Sequence, residues 1–350
     1  MLYCVHMNQL ALYRKYRPET LEDVIGQEHV IKVLKQSLKS NTPAHAYLLT
    51  GSRGIGKTTI ARIIARELGT SINDLYEIDA ASNNGVEEIR ILRETIETLP
   101  FDSKYKVYIL DEVHMLSKSA FNALLKTLEE PPAHVIFILA TTDMEKVPET
   151  IVSRCQTFVF KKPSDTSLAT LVQQIAKKEG RTIDEDASLL VALLGDGSFR
   201  DTLSILQQVL TLGEKTITAD MVSAITGAPR IGLVHEYISG LIERDVSRAF
   251  TAVSQAASQQ VDMRLFARLV LIHFRILLLL RYAPEQKNTI LIHASEQDTA
   301  FYKTALTVKT TVLTSKTLEI LLELLDARVP AVVATLPLEI AMIRVVEGEK

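Results

Sequence analysis

The chain has 350 residues, 47% of them hydrophobic, and a formal charge of −3, a length that exceeds one ordinary core and implies two or three domains. The near balance of charge excludes attachment to nucleic acid through the whole-chain field, so any such contact must come from local patches. Two cysteines, Cys4 and Cys155, leave no disulfide framework and no four-cysteine zinc site, and a reducing compartment fits.

The opening stretch, MLYCVHMNQLALYRKYRP, has no sustained apolar run and no small-residue cleavage site, so no signal peptide is expected. Apolar runs then alternate with helical patterns as far as Phe160. The expected strands are Ala46 to Thr50, Leu75 to Asp79, Lys106 to Asp111, Val135 to Thr141 and Thr157 to Phe160. Runs this apolar suit strands covered on both faces, and the helical patterns between them imply a parallel α/β sheet. No strand is expected after Lys161. The segment KKPSD reads as a linker with Ser164 or Asp165 capping the next helix, and GAPRIG, Gly227 to Gly232, breaks the chain again. The expected division is 1–162 (α/β), 163–227 (a small helical domain) and 228–350 (a second helical domain). The most apolar stretch, Leu265 to Pro284, is interrupted by Arg268, His273, Arg275 and Arg281. A span needs about 20 nearly charge-free residues, so a buried helix and a soluble, cytoplasmic protein are expected.

The segment HAYLLTGSRGIGKTTIARIIARELG, His45 to Gly69, reads as strand, glycine-rich loop and amphipathic helix. Gly51, Gly56, Lys57 and Thr58 fit G-x-x-x-x-G-K-[ST], with Ser52, Arg53, Gly54 and Ile55 inside the loop and Thr59 after it. Glycines let backbone amides turn inward at a polyphosphate, and the helix N-terminus adds its dipole. Lys57 offers a charge to the β and γ phosphates, and Thr58 offers a hydroxyl to Mg²⁺. The next acidic site, VYILDE, ends a strand with Asp111 and Glu112. The first can hold Mg²⁺ through water and the second can activate a water for in-line attack, which points to hydrolysis. ILATT ends with Thr141 and Thr142, where a hydroxyl or amide can touch the phosphate or the attacking water. Arg154, in SRC, is too far along the sheet edge to serve its own loop and could reach a neighbouring subunit. Arg200 stands in the first turn of an expected helix, where a cation opposes the dipole. It either meets an anion such as phosphate or pairs with Asp196 or Asp201.

In this order those residues resemble the AAA+ ATPases. The stretches RKYRPETLEDVIGQEHV, EIDAASNNGVEEIR, KVYILDEVHMLSKSAFNALLKTLEEPP and ILATTDMEKVPETIVSRCQTF are similar to the bacterial DNA polymerase III gamma/tau subunits, the ATPase subunits of the clamp loader. The likeness is dense from about Leu12 to Phe160, continues through GSFRDTLS and thins over the C-terminal third. It implies a five-stranded sheet in the order 5-1-4-3-2, an all-α lid to about Gly227 and an all-α collar that oligomerises. It implies ATP bound by Gly51 to Thr59, with Val24, Ile25 and Gly26 and the stretch Tyr13 to Arg17 bordering the adenine. Asp111 and Thr58 would hold Mg²⁺, Glu112 would be the base, Thr142 and Arg200 the first and second sensors, and Arg154 a finger on the next subunit's ATP. The implied partners are copies of the chain, delta-like and delta-prime-like subunits, the sliding clamp and primed DNA, with no membrane. Lys118 and Asn122 are candidates for DNA contact. The implied activity is ATP hydrolysis in the DNA polymerase III holoenzyme, without a polymerase site in this chain. A structural subunit without turnover and a remodeller of other DNA structures are the competing readings. The intact loop with Asp111 and Glu112 weighs against the first; SRC and NALLKTLEEPP weigh against the second.

The sequence departs from the family in two places. Where a four-cysteine zinc module usually lies, between Gly69 and Leu75, only TSIND remains, so no zinc is expected. The long tail that contacts helicase and polymerase in the tau form is missing, which leaves that tethering outside the expectation. MNQLALYRKYRP resembles the family's usual beginning, which makes Met7 a candidate start.

Overall fold

The computed structural model describes residues 10–39, 43–83, 85–291, 294–326 and 333–348; the expectations for Cys4 and Met7 fall outside them. The chain divides into two compact units. One runs to Leu168 and includes Gly195–Ser204; the other comprises Ala169–Leu194 and the residues from Ile205 onward. This division passes through the stretch 163–227 that the sequence sets apart as a small helical domain.

In chain order the first unit carries α1 (Leu12–Lys15), α2 (Glu28–Lys39), β1 (Ala46–Thr50), α3 (Lys57–Glu67), β2 (Leu75–Asp79), α4 (Val86–Ile96), β3 (Lys106–Asp111), α5 (Lys118–Glu129), β4 (Val135–Thr141), α6 (Glu149–Val152) and β5 (Gln156–Val159). The five strands are parallel in the order β2-β3-β4-β1-β5, which is the expected 5-1-4-3-2. Alternate residues on each strand face opposite sides. Leu48, Leu110 and Leu139 pack with Phe121 and Leu124 of α5. Leu49, Ile109 and Ile138 pack with Ile60, Ile63 and Ile64 of α3 and with Leu34 of α2. Two apolar layers therefore clamp β1, β3 and β4, every residue of which is buried except Asp111 at the tip of β3. β2 differs from the expectation of two covered faces. It is the sheet edge, and its residues are half-buried or exposed. β5 begins and ends one residue earlier than expected.

The connection TSIND closes as a single 3-10 turn, Ile72–Asp74. The buried Asp74 carboxylate accepts from the backbone amides of Phe101 at 2.5 Å, Asp102 at 2.8 Å and Ser103 at 2.8 Å. That side chain ties the start of β2 to the loop that leads into β3.

After β5 come α7 (Asp165–Lys178), β6 (Thr182–Ile183), α8 (Glu185–Leu194), α9 (Phe199–Leu210), β7 (Thr216–Ile217) and α10 (Ala219–Thr226). Ser164 caps α7, accepting from the Ser167 amide. β6 and β7 form a short parallel pair, a correction to the expectation of no strand after Lys161. Two residues per strand are too few to show a period of two in sequence. Then follow α11 (Ile231–Glu243), α12 (Val246–Ser258), α13 (Met263–Tyr282), α14 (Lys287–Ile290), α15 (Glu296–Thr307), α16 (Ser315–Asp326) and α17 (Leu336–Glu347). Their core is one cluster containing Tyr237, Phe266, Phe274, Leu277, Leu321 and Met342. No helix among the described residues is long and apolar enough to cross a membrane; α13 is a buried helix, as its interrupting charges imply.

Candidate functional site

Strand order reverses at β1, which lies between β4 and β5 although its chain neighbour β2 is at the far edge. In such sheets the crevice beyond the strand carboxyl ends at the reversal is where ligands bind. The loop 51–56 leaves β1 there, and the tips of β3 and β4 stand beside it. Gly51, at φ +147°, could not carry a side chain: a Cβ would lie 2.5 Å from Ile55 Cδ1 and 2.7 Å from the Phe160 carbonyl oxygen. At Gly54, φ +74°, a Cβ would meet Ser198 Oγ at 2.0 Å, and the Gly54 carbonyl accepts from the Phe199 amide at 3.0 Å. The loop is therefore bolted to the turn that begins α9.

Lys57 opens α3 and is buried. Its Nζ donates to the carbonyls of Gly51 at 2.8 Å and Ser52 at 2.9 Å. Burial lowers its pKa, while the Glu112 and Asp111 carboxylates oppose that shift. Thr58 Oγ1 donates to Asp111 Oδ2 at 2.6 Å, so the hydroxyl and carboxylate expected to share a metal converge. Ser52 Oγ is buried with no hydrogen-bond partner among the described residues. This orphaned oxygen, a hydroxyl–carboxylate pair and a helix N-terminus with an ammonium beside it fit a magnesium–polyphosphate group.

Glu112 sits at φ +49°, a left-handed conformation unusual for a side chain of its size. Thr142 Oγ1 donates to Glu112 Oε2 at 2.9 Å. Thr141 instead turns inward, donating to the Asp143 carbonyl at 3.0 Å. His114 escaped the sequence reading. Its Nδ1 lies 3.0 Å from Thr141 Oγ1 and 3.5 Å from Glu112 Oε2, so one imidazole links both tips to the acidic residue. Only its place two residues beyond Glu112 could have hinted at this.

Arg200 is exposed at the start of α9, its guanidinium 5.8 Å from the centre of the Tyr13 ring. Asp196 pairs with Lys162 at 3.4 Å. Burial lowers the pKa of Arg17, and the charges of Arg62, Arg200 and Arg14 add to the effect. Arg200 also acts on Lys57. Arg14, Arg62 and Arg200 thus lie close enough to Arg17 to act on it, with the Glu77 carboxylate, which pairs with Arg62, opposing them. Tyr13 joins this cluster through Arg200. Val24 packs against the α3 side of the sheet core, and Gly26 adopts φ +74°. Arg154 is apart from the loop: it pairs with Glu129 at 2.6 Å and donates to the Thr150 carbonyl at 2.7 Å. Cys155 beside it is half-buried, and burial pushes its thiol up to about 12. Lys118 and Asn122 are exposed on α5.

A family model described as "DNA polymerase III, delta subunit" matches residues 26–77 and 69–164. A second, "DNA polymerase III clamp loader subunit, ATPase lid domain", matches residues 168–215. DNA polymerase III subunit gamma of Buchnera aphidicola is 35% identical over 313 residues, covering 83% of this chain and 86% of that protein. The chain belongs to the DNA polymerase III gamma/tau family. The tau subunit of Bacillus subtilis is 40% identical over 299 residues, 79% of this chain and 53% of that protein. The gamma/tau subunit of Mycobacterium tuberculosis is 38% identical over 82% of the chain and 54% of that protein. The chain thus spans about half the length of the last two relatives. Among solved structures, the Thermotoga maritima RuvB Holliday junction branch migration motor superposes with a TM-score of 0.52 at 23% identity, over 65% of this chain and 80% of that one. That likeness concerns the AAA+ fold alone.

Proposed function

We propose that this gamma/tau-family chain is an ATP-hydrolysing motor subunit of a bacterial clamp loader, which places a sliding clamp on primed DNA within the DNA polymerase III holoenzyme. The observation that carries the reading is the convergence of Lys57, the Thr58–Asp111 pair and the Thr142–Glu112 pair at the carboxyl ends of β1, β3 and β4. Loop amides from 51 to 59 and Lys57 hold the phosphates, Lys57 exchanging two loop carbonyls for phosphate oxygens. Thr58 and Asp111 would hold Mg²⁺, which when bound neutralises phosphate charge. Glu112 takes a proton from the attacking water, and Thr142 holds that carboxylate in place. Arg200 offers charge from the start of α9, and Tyr13 to Arg17 with Val24 to Gly26 border the base. Arg154 serves the ATP of a neighbouring copy.

The expected three-part division, with a lid at 163–227 and a collar at 228–350, belongs to the same reading and is supported by the lid-domain match at 168–215. On α17, Leu336, Ile340 and Ile343 are exposed at spacings of four and three, one helical face suited to copies of the chain or to delta-like and delta-prime-like subunits. The test is steady-state ATPase activity of the chain alone and assembled with clamp-loader partners, with and without sliding clamp and primed DNA. Hydrolysis stimulated by clamp and DNA is expected. Assembly without turnover in any combination would mark a structural subunit instead.

A further inference from the structure

In the helical unit, far along the sequence from the phosphate loop, α11, α13 and α15 bring His235, His273 and Asp298 together. One nitrogen of each histidine and one carboxylate oxygen all lie within 4.8 Å of one another. His235 Nε2 is 3.0 Å from Asp298 Oδ1, and His273 Nδ1 is 3.8 Å from the same oxygen. Both histidines are at least nine-tenths buried, at 7% and 6% exposure. Despite their closeness, His235 Nε2 and Asp298 Oδ1 are not aligned for a hydrogen bond, and both are buried with no hydrogen-bond partner among the described residues.

We propose that His235, His273 and Asp298 form a binding site for a divalent transition metal of the zinc class, pinning α11, α13 and α15 together. The donor set, two imidazoles and one carboxylate, is one that zinc and its first-row neighbours take, whereas magnesium and calcium prefer oxygen alone. Metal–ligand bonds of about 2.0–2.1 Å in a tetrahedron set donors about 3.3 Å apart; the two distances to Asp298 Oδ1, 3.0 and 3.8 Å, bracket that value, and the two imidazole nitrogens lie within 4.8 Å of each other. Tyr302 Oη lies 2.6 Å from His273 Nδ1. A metal at that nitrogen would take the place of this hydrogen bond. His235 stacks on Phe301, with ring centres 3.9 Å apart and planes 8° from parallel, so its orientation is fixed by packing. Asp186 adds negative potential, its own pKa raised by burial and by the Asp298 charge.

The expectation from the sequence is that the chain holds no zinc, argued from its two cysteines and from the stretch Gly69 to Leu75, and the present proposal departs from it. The present site is elsewhere and uses no cysteine. Its ligands are separated irregularly in sequence, with no spacing to reveal them.

The test uses the full, tag-free chain, stripped with chelator and titrated with cobalt(II) alone and then with zinc(II). One equivalent of cobalt should give the visible absorption of a low-coordinate site, zinc should displace it, and one equivalent of zinc should raise Tm. Asp298→Asn and His235→Gln should each weaken cobalt binding at least ~100-fold, while His134→Gln, which alters a histidine of the other unit, should leave it unchanged. Because these variants alter a core, the wild-type titration decides independently. No stoichiometric cobalt or zinc binding by the folded wild-type chain overturns the proposal. So does binding that a folded Asp298→Asn variant retains in full.

Discussion

The Thr142 hydroxyl donates to Glu112 Oε2 at 2.9 Å, so the tip of β4 holds the acidic residue that follows β3. Glu112 is partly exposed and its backbone is in a left-handed conformation. His114 approaches the same oxygen at 3.5 Å and is less exposed. Thr142 therefore positions the carboxylate more directly than any other side chain described here. Thr142→Val should retain nucleotide affinity within about twofold and reduce turnover by roughly 10- to 100-fold, part of the ~10²–10⁴ that a positioned base contributes. Equilibrium nucleotide binding and steady-state hydrolysis check this; unchanged turnover would show that the contact does not position the base.

Lys57 and Glu112 should separate binding from chemistry. Lys57 is a buried cation whose present partners are two loop carbonyls. Lys57→Ala should weaken ATP binding by roughly 100-fold or more, the scale of a buried charge pair losing about 3 kcal/mol. Glu112→Gln keeps the shape and removes the base, so binding should persist while turnover drops by ~10²–10⁴. Fluorescent-nucleotide binding and phosphate release on both variants are the measurements. Comparable hydrolysis by Glu112→Gln and the parent chain would remove Glu112 from the base role.

Most of the sheet was legible because β1, β3 and β4 are covered on both faces and read as unbroken apolar runs. β2 has the expected bounds and less burial than its sequence implies, since an edge strand with Tyr76 and Ile78 looks as apolar in sequence as a central one. The phosphate loop and Asp111–Glu112 were legible because their chemistry is local: a short spacing on one loop or one strand end. Arg200 was identified, but its neighbours were not. The sequence offers an anion, or Asp196 or Asp201, whereas the fold pairs Asp196 with Lys162 and sets Arg200 over Tyr13, 187 positions earlier. His114 and the His235–His273–Asp298 cluster escaped for the same reason. Their meaning depends on which helices and strand ends meet, and no short-range period encodes that.

Arg154 has an intrachain partner, Glu129, at 2.6 Å, and both side chains are partly exposed. A surface pair of this kind contributes about 0–1 kcal/mol, which is weak enough to exchange for a phosphate across an interface. Arg154→Ala should leave nucleotide affinity and stability of the isolated chain nearly unchanged and reduce hydrolysis by the assembled complex roughly 10³- to 10⁵-fold, the range of a supplied arginine finger. Glu129→Gln should leave the assembled rate intact. An equal loss of nucleotide binding by the isolated Arg154→Ala chain would assign the residue to its own site.

Asp74 carries a pH-dependent contribution to stability whose sign follows from its surroundings. Burial alone would raise its pKa, but hydrogen bonds from the Phe101 and Asp102 amides, with Ser103 adding side-chain and backbone bonds, outweigh that and hold the carboxyl at about 2. The unfolded chain leaves it at the ordinary value of 3.8. A folded-state pKa below the unfolded one means that the unfolded chain binds more protons in between, so stability rises with pH there. The contribution is complete above about pH 4 and is lost as pH falls toward about 2. Asp74→Asn keeps the size but turns an amide group toward backbone donors, and should cost roughly 1–3 kcal/mol at neutral pH. It should also flatten the stability profile between about pH 4 and pH 2. Chemical denaturation of both proteins across that range checks the sign. A variant that loses as much stability on acidification as the parent chain would show that other carboxylates, not Asp74, govern the acid limb.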